Sequence, residues 1–336
     1  MFDNDDEEYV KMLARKRMLV VLSTLCIVLI FVLGICFIFF FNPQRTFIIT
    51  ETYRVTSISG SETFLNVCLP LSTGYQEITN LLVDGVDDYT VTNYNGWSEL
   101  MAKVHSGGSE EIVTITYTAK LIRDAKPWSG AVLDEYTLPQ QYVDSNNKEI
   151  IKLGKQLHGE NDYKTAQNVL KYVHKTIHAP SGNQVNVTQL SASELLETPV
   201  GVCGDYAILM TALLRAEGIP TRMISGLTFQ IPLQKTADWN HPGIAHAWVE
   251  FYADGKWHFA DPTWNLFDRS DTAHLSYGIY ESNIKSDFQQ NRYTTLENAG
   301  FYIVGSMSAP LNFTVYSTDE NTVVTPQADV NFSWLT

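Results

Sequence analysis

The stretch Val202-Cys203-Gly204-Asp205-Tyr206-Ala207 decides how the rest of this 336-residue chain is read. Tyr206, Ala207, Met210, Leu213 and Leu214 recur at helical spacing, and Gly218-Ile219-Pro220 supplies a stop. A helix is therefore predicted from Cys203 to about Glu217. A cysteine on the first turn of a helix lies beside unpaired backbone N–H groups and the positive end of the helix dipole. Both favour the thiolate, the form of cysteine that attacks a carbonyl carbon.

A reactive thiol needs a base and a group to orient that base, and the next strand signals offer both. Ala245 to Tyr252 and Lys256 to Asp261 read as strands joined through Asp254-Gly255, a strong two-residue hairpin turn. That turn sets Ala253 opposite Lys256, Tyr252 opposite Trp257, and Trp248 opposite Asp261. Side chains two apart on a strand share a face, so His246 and Trp248 share one with Asp261, and His246 and Asp261 become diagonal neighbours. An imidazole held by a carboxylate through one nitrogen presents the other to a thiol. Cys203 is the candidate nucleophile, His246 the base and acid, and Asp261 the orienting carboxylate. Trp248 is expected to wall a substrate channel. His241 is the substitute base, and His258 a weaker one because its predicted face is opposite.

The surroundings of this centre read as helical. Asn161-Asp162 precede an apolar stripe of Tyr163, Ala166, Val169, Leu170, Val173 and Ile177, and His174 and His178 ride on that helix. Ser191 and Glu194 have the spacing of a capping box. Thr46 to about Arg123 reads instead as strands with glycine turns between them, a small antiparallel β domain. Further strands run through Phe301-Tyr302-Ile303-Val304 and Leu311 to Tyr316 to the C-terminus.

Met18 to Phe41 is uncharged and almost wholly apolar, long enough to cross a bilayer as one helix. Lys11, Arg15, Lys16 and Arg17 precede it and only Arg45 follows closely, which predicts a cytoplasmic N-terminus and an extracytoplasmic remainder. The run ends in Phe37 to Phe41 without a small-residue cleavage site, so an uncleaved anchor is expected rather than a signal peptide. The expected organisation is a cytoplasmic tail (1–17), a transmembrane helix (18–41), a β domain (46–123), a core (145–290) and a C-terminal β extension (291–336).

Composition narrows the function further. The formal net charge of −14 argues against a polyanionic partner such as nucleic acid. Of four cysteines, Cys26 and Cys36 lie in the apolar run, which excludes a disulfide scaffold. Cys68 reads as a buried small hydrophobe. A Cys68–Cys203 disulfide is the alternative that would silence the thiol. No Cys/His spacing resembles a zinc site, and no metal or cofactor is expected. Asn186-Val187-Thr188, Asn312-Phe313-Thr314 and Asn331-Phe332-Ser333 match the glycosylation acceptor pattern.

Three ordered blocks, Gly201-Val202-Cys203-Gly204-Asp205-Tyr206-Ala207, His246-Ala247-Trp248-Val249-Glu250 and Asp261-Pro262-Thr263-Trp264, carry a family resemblance. The region from about Asn161 to Trp264 resembles the transglutaminase-like superfamily. The resemblance implies an α+β chain with a papain-like core, the cysteine on a helix and the histidine and aspartate on neighbouring strands. It implies the same roles for Cys203, His246 and Asp261, and a β domain ahead of the core. The expected chemistry is acyl transfer at an amide bond through a thioester, with hydrolysis as in a protease or amidase as the first reading. Protein-glutamine amine transfer is one alternative, and a non-catalytic surface binding or structural protein is another. No acidic cluster reads as a calcium loop of the kind a regulated cross-linker would use. The expected substrate is an extracellular protein or a cell-envelope peptide.

Overall fold

The structure, a computed structural model, describes residues 4–41, 44–94, 96–105, 107–180, 189–229, 244–279, 295–307 and 313–332. His241 and the glycosylation positions Asn186, Asn312 and Ser333 lie outside the described residues. The chain divides into two units, Met1–Pro43 and Gln44–Thr336. The first is a single helix, α1 (Asn4–Phe41), whose segment Lys11–Gly34 has a mean hydropathy of 2.5 and contains no buried residue. It is long and apolar enough to cross a membrane.

The second unit opens with strands β1 (Gln44–Thr56), β2 (Thr63–Leu69), β3 (Gln76–Asp84), β4 (Val86–Asn93), β5 (Ser98–Val104) and β6 (Glu110–Ile122). Helices follow as α2 (Lys148–Leu157), α3 (Asp162–Thr176), α4 (Ala192–Glu197) and α5 (Cys203–Ala216). Then come β7 (Thr221–Thr228), β8 (Ile244–Ala253), β9 (Lys256–Asp261), β10 (Leu266–Phe267) and β11 (His274–Ile279). The chain closes with β12 (Tyr302–Met307), β13 (Phe313–Ser317) and β14 (Val323–Phe332). Local chemistry sets the helix starts: Asn161 accepts from the Lys164 N–H, and Ser191 with Glu194 forms a full capping box.

Two sheets, β14-β1-β6-β3 and β12-β13-β2-β5-β4, pack face to face as a sandwich. On β1, Phe47, Ile49, Tyr53 and Val55 alternate inward, and Val113, Ile115, Tyr117, Ala119 and Leu121 do the same on β6. The alternation also carries Glu51 inward, where it is fully buried. Its carboxylate accepts from the Tyr117 and Tyr277 hydroxyls at 2.8 Å each and from Tyr53 at 2.9 Å. The C-terminal strands β13 and β14 are built into this sandwich: β14 pairs along β1 and β13 along β2. Their apolar positions, such as Phe313 and Val315, need the core that the earlier strands line.

The third sheet, β10-β9-β8-β7-β11, is antiparallel and carries the helices on one face. Val249, Phe251 and Ala253 point from β8 toward α5, whose residues from Asp205 to Arg215 are all buried. A helix enclosed on every side cannot be amphipathic, and its sequence is apolar all round apart from Asp205, Thr211 and Arg215. Arg215 spends its charge on backbone, donating to Thr221 O at 2.9 and 2.6 Å and to Leu138 O at 2.9 Å. On the other face of β8, Trp248 packs with Tyr75, Phe259 and Ile224. Leu275 and Tyr277 from β11 enter the sandwich core, so sheet and sandwich share buried side chains.

Candidate active site

Cys203 is the first residue of α5 and is partly exposed, so its thiol is held yet reachable. Val202, ahead of it, has no side chain to cap the helix; Asp205 instead accepts the Val202 N–H at 2.8 Å and takes a second bond from Gln189 at 3.0 Å. Gly201 makes this possible, since a Cβ there would stand 2.5 Å from the Asp205 side chain. Glycine and aspartate in the first sequence block therefore set the helix start that carries the sulfur.

His246 lies on β8 and Asp261 ends β9, with the register that the turn predicts: Ala253 opposite Lys256, through to Val249 opposite Ala260. Asp254 and Gly255 both take positive φ, 50° and 77°, which matches the strand twist that a tight hairpin requires. His246 Nε2 stands 3.1 Å from Asp261 Oδ2, leaving Nδ1 for the thiol, on whose charge His246 acts. Asp261 is fully buried, and its Oδ1 accepts the backbone N–H groups of Thr263 at 2.7 Å and Trp264 at 3.4 Å. The structure thus brings Cys203, His246 and Asp261 together, with His246 between the thiol and the carboxylate.

Charge follows from that row. Burial pushes the Cys203 thiol up, but the His246 hydrogen bond and charge, with the N–H groups of Ala247 and Gly204, outweigh it and hold the thiol below its ordinary 9.0. Burial works against the His246 cation too, yet Asp261 and Cys203 raise it to about 9. Asp261 is held well below the usual carboxylate range by the two imidazoles it faces, despite its burial. At neutral pH His246 is accordingly an imidazolium, and its charge favours the Cys203 thiolate relative to an ordinary thiol.

The structure places Trp248 in the core rather than on a channel wall. Its side chain is 0% exposed and its indole N–H donates to the Tyr75 hydroxyl at 3.2 Å, because the face it shares with His246 is covered by Tyr75 and Phe259. Trp264 lines the site instead: it is 44% exposed and stacks on the His246 ring at 4.5 Å and 15°. Its place three residues after Asp261 was the signal available for it. His258 points to the opposite face, stacked on Phe251 and bonded to Asp268 at 3.0 Å. Cys68 and Cys203 are both free thiols; Cys68 donates to Tyr277 O at 3.1 Å, and burial pushes it up to about 12, which makes it inert. His174 bonds Pro262 O at 3.1 Å, tying α3 to the turn after Asp261.

Two residues that local reasoning did not reach complete the site. His274, at the start of β11, stands 3.2 Å from Asp261 Oδ2 through Nε2 and 2.9 Å from Asp271 Oδ1 through Nδ1. Gly226, opposite His246 on β7, allows the approach, since a Cβ there would lie 2.1 Å from Leu275 O and 2.5 Å from the Trp248 ring. Among the described residues, His246, Asp261 and His274 are the group whose ligand atoms converge closely enough for a metal ion, within 4.8 Å. All three are committed to one hydrogen-bond chain, with both Nε2 atoms turned to the same carboxylate oxygen, so the cluster reads as a proton network.

The fold and site define a mixed α/β chain that presents a helix-borne cysteine to a histidine on an antiparallel sheet. The model of the transglutaminase-like superfamily matches residues 151–262. Among solved structures, a Cytophaga hutchinsonii protein proposed to be a cysteine protease aligns at 19% identity and a TM-score of 0.46, over 87% of this chain and 94% of its own. The periplasmic domain of TgpA from Pseudomonas aeruginosa aligns at 16% identity and a TM-score of 0.34, over 66% of this chain and 88% of its own. No curated protein sequence matches the chain.

Proposed function

We propose that this chain is a membrane-tethered thiol enzyme that cleaves amide bonds in extracytoplasmic proteins or peptides through a Cys203 thioester. One observation carries the reading: Cys203 at the start of α5 interacts with His246, whose Nε2 is held 3.1 Å from the buried Asp261. In the proposed reaction the Cys203 thiolate attacks the carbonyl carbon and the carbonyl oxygen takes the negative charge. The Cys203 N–H, at the first helical position, has no carbonyl within the helix to bond and is free to donate to that oxygen. The tetrahedral species collapses as His246 gives its proton to the departing amine, leaving an acyl-thioester. Water, deprotonated by His246, then releases the acid and the thiol. Throughout, Asp261 keeps Nδ1 turned toward the sulfur, and Trp264 shields the imidazole face.

The tether is assigned to α1, with the basic residues Lys11, Arg15, Lys16 and Arg17 retained in the cytoplasm. The test uses the full chain in detergent and a thiol-directed alkylating probe across pH. Rapid labelling at Cys203 near neutral pH, slowed in His246→Ala and absent in Cys203→Ala, is expected. A peptide-amide screen with and without added primary amine then assigns the acceptor: product acid alone means hydrolysis, amine incorporation means cross-linking. Labelling of Cys203 no faster than an ordinary thiol refutes the enzyme and leaves a tethered binding or structural domain.

A further inference from the structure

Asp261 Oδ2 accepts from two imidazoles, His246 at 3.1 Å and His274 at 3.2 Å, and the second has no part in the proposed mechanism. His274 is 0% exposed, and both of its nitrogens face carboxylates: Nε2 faces Asp261, and Nδ1 faces Asp271, itself about one third exposed. An imidazole that donates through both nitrogens is an imidazolium. The row therefore continues past Asp261 with alternating charge: His246 cation, Asp261 anion, His274 cation, Asp271 anion.

We propose that His274, clamped between Asp261 and Asp271, is a positioning residue of the thiol centre, fixing the Asp261 carboxylate and setting a compensating buried cation beside it. The inference rests on the thiol-enzyme reading above for its functional meaning, and on the His274 contacts for its geometry. Fixing follows from the bond count. With the Thr263 and Trp264 N–H groups on Oδ1 and two imidazoles on Oδ2, no acceptor site of Asp261 is left to rotate into another partner. Compensation follows from distance. The His246 and His274 rings are 5.3 Å apart, and two like charges so placed oppose one another by about two pH units at an effective dielectric of about 20.

The charged neighbours of His274 are accounted for on every side. Asp261 faces it from β9, Asp271 from the approach to β11, and His246 from β8, while Arg45 on β1 acts on Asp271 from outside. Burial works against the His274 cation, and the two carboxylate hydrogen bonds restore it above the ordinary 6.5. A lone Asp261 would make His246 a stronger base and a more reluctant acid; with His274 in place the proton is held firmly enough to stabilise the thiolate and loosely enough to be given to an amine.

The test is a histidine titration of the full chain in detergent by carbon-13 NMR of the ring Cε1, from pH 6 to 11. It compares wild type with His274→Gln, which keeps a donor toward Asp261 without the charge, and with Asp271→Asn, which removes the outer carboxylate from a partly exposed position. The His246 midpoint is expected to rise by about one pH unit or more in His274→Gln and in the same direction, by less, in Asp271→Asn. Cys203 alkylation at pH 7 is followed in the same samples. Unchanged His246 midpoints in folded variants overturn the proposal, and if His274→Gln does not fold, Asp271→Asn decides alone. Ordinary thiol reactivity of wild-type Cys203 removes the enzyme reading while leaving the histidine titrations readable, so the two failures are distinct.

Discussion

Replacing Glu250 with Gln tests whether the sheet that carries His246 depends on one buried ion pair. Glu250 shares a strand face with His246 and lies opposite Arg222 in the β7–β8 register. Its Oε2 receives both Arg222 Nε and Nη2 at 2.7 Å, and its Oε1 receives the Tyr75 hydroxyl at 2.7 Å. The two side chains are 3% and 1% exposed, and the guanidinium lies 4.1 Å from the Trp257 ring centroid. Burial alone would lower Arg222, but Glu250, with Tyr136, more than offsets it, so the arginine keeps its charge. Glu250→Gln therefore strands a cation in the core, a change that costs about 3–5 kcal/mol. For a unit of this size that is a fall of about 6–10 °C in melting temperature. The double variant Arg222→Met/Glu250→Leu removes both charges and is expected to recover all but about 1–2 kcal/mol, the remainder being the Tyr75 hydroxyl left without its acceptor. Urea unfolding followed by circular dichroism reads both. A Glu250→Gln variant within 1 kcal/mol of wild type, or a double variant no better than the single one, would show that the pair does not hold the strand.

Asp261→Asn keeps the shape of the orienting residue and removes its charge. His246 is then expected to fall from about 9 toward or below its ordinary 6.5, and turnover by about 10³–10⁴-fold, read by ring NMR and by peptide-amide hydrolysis. Stability should also track the His246 proton: bound to about pH 9 in the fold against 6.5 in a free histidine, it contributes up to about 3 kcal/mol. That contribution is complete below pH 6.5 and lost as the pH rises through about 9, so the alkaline decline in melting temperature should flatten in His246→Gln. Asp261 acts with the opposite sign, stabilising above the ordinary 3.8 and failing as acid protonates it. Tyr277→Phe removes one of three donors to buried Glu51 and should cost about 1–3 kcal/mol in urea while leaving Cys203 alkylation unchanged.

The parts of the site that could be read from sequence are those set by short-range rules. Asp254-Gly255 fixes the hairpin register, and with it the shared face of His246 and Asp261. The helix signals around Cys203 place the sulfur at a helix start. His274 was not legible because β11 joins the sheet beside β7, at the far edge from β9, and reaches Asp261 across the sheet face rather than along it. Asp271 depends on that same placement. Trp248 shows the limit of alternation: it assigns a residue to a face but not what covers that face, and here Tyr75 from the other half of the chain does so. Glu51 interrupts an apolar stripe for a similar reason, since one of its tyrosine partners, Tyr277, lies 226 positions away.

The pairing of β1 with β14, from Phe47 opposite Phe332 to Thr56 opposite Val323, sets a timetable for maturation. A chain made from its N-terminus exposes β1 early, and β6 can cover one edge of it soon afterwards. The other edge stays open until β14 has been synthesised, and β2 waits similarly for β13. The transglutaminase-like segment, residues 151–262, is made while the sandwich is still incomplete. Because β11 buries Leu275 and Tyr277 in that sandwich, the strand that delivers His274 acquires its full support only once β13 and β14 have been made. Contacts of such long sequence separation make folding slow. The support of the thiol centre by His274 therefore depends on strands made more than 35 residues after it.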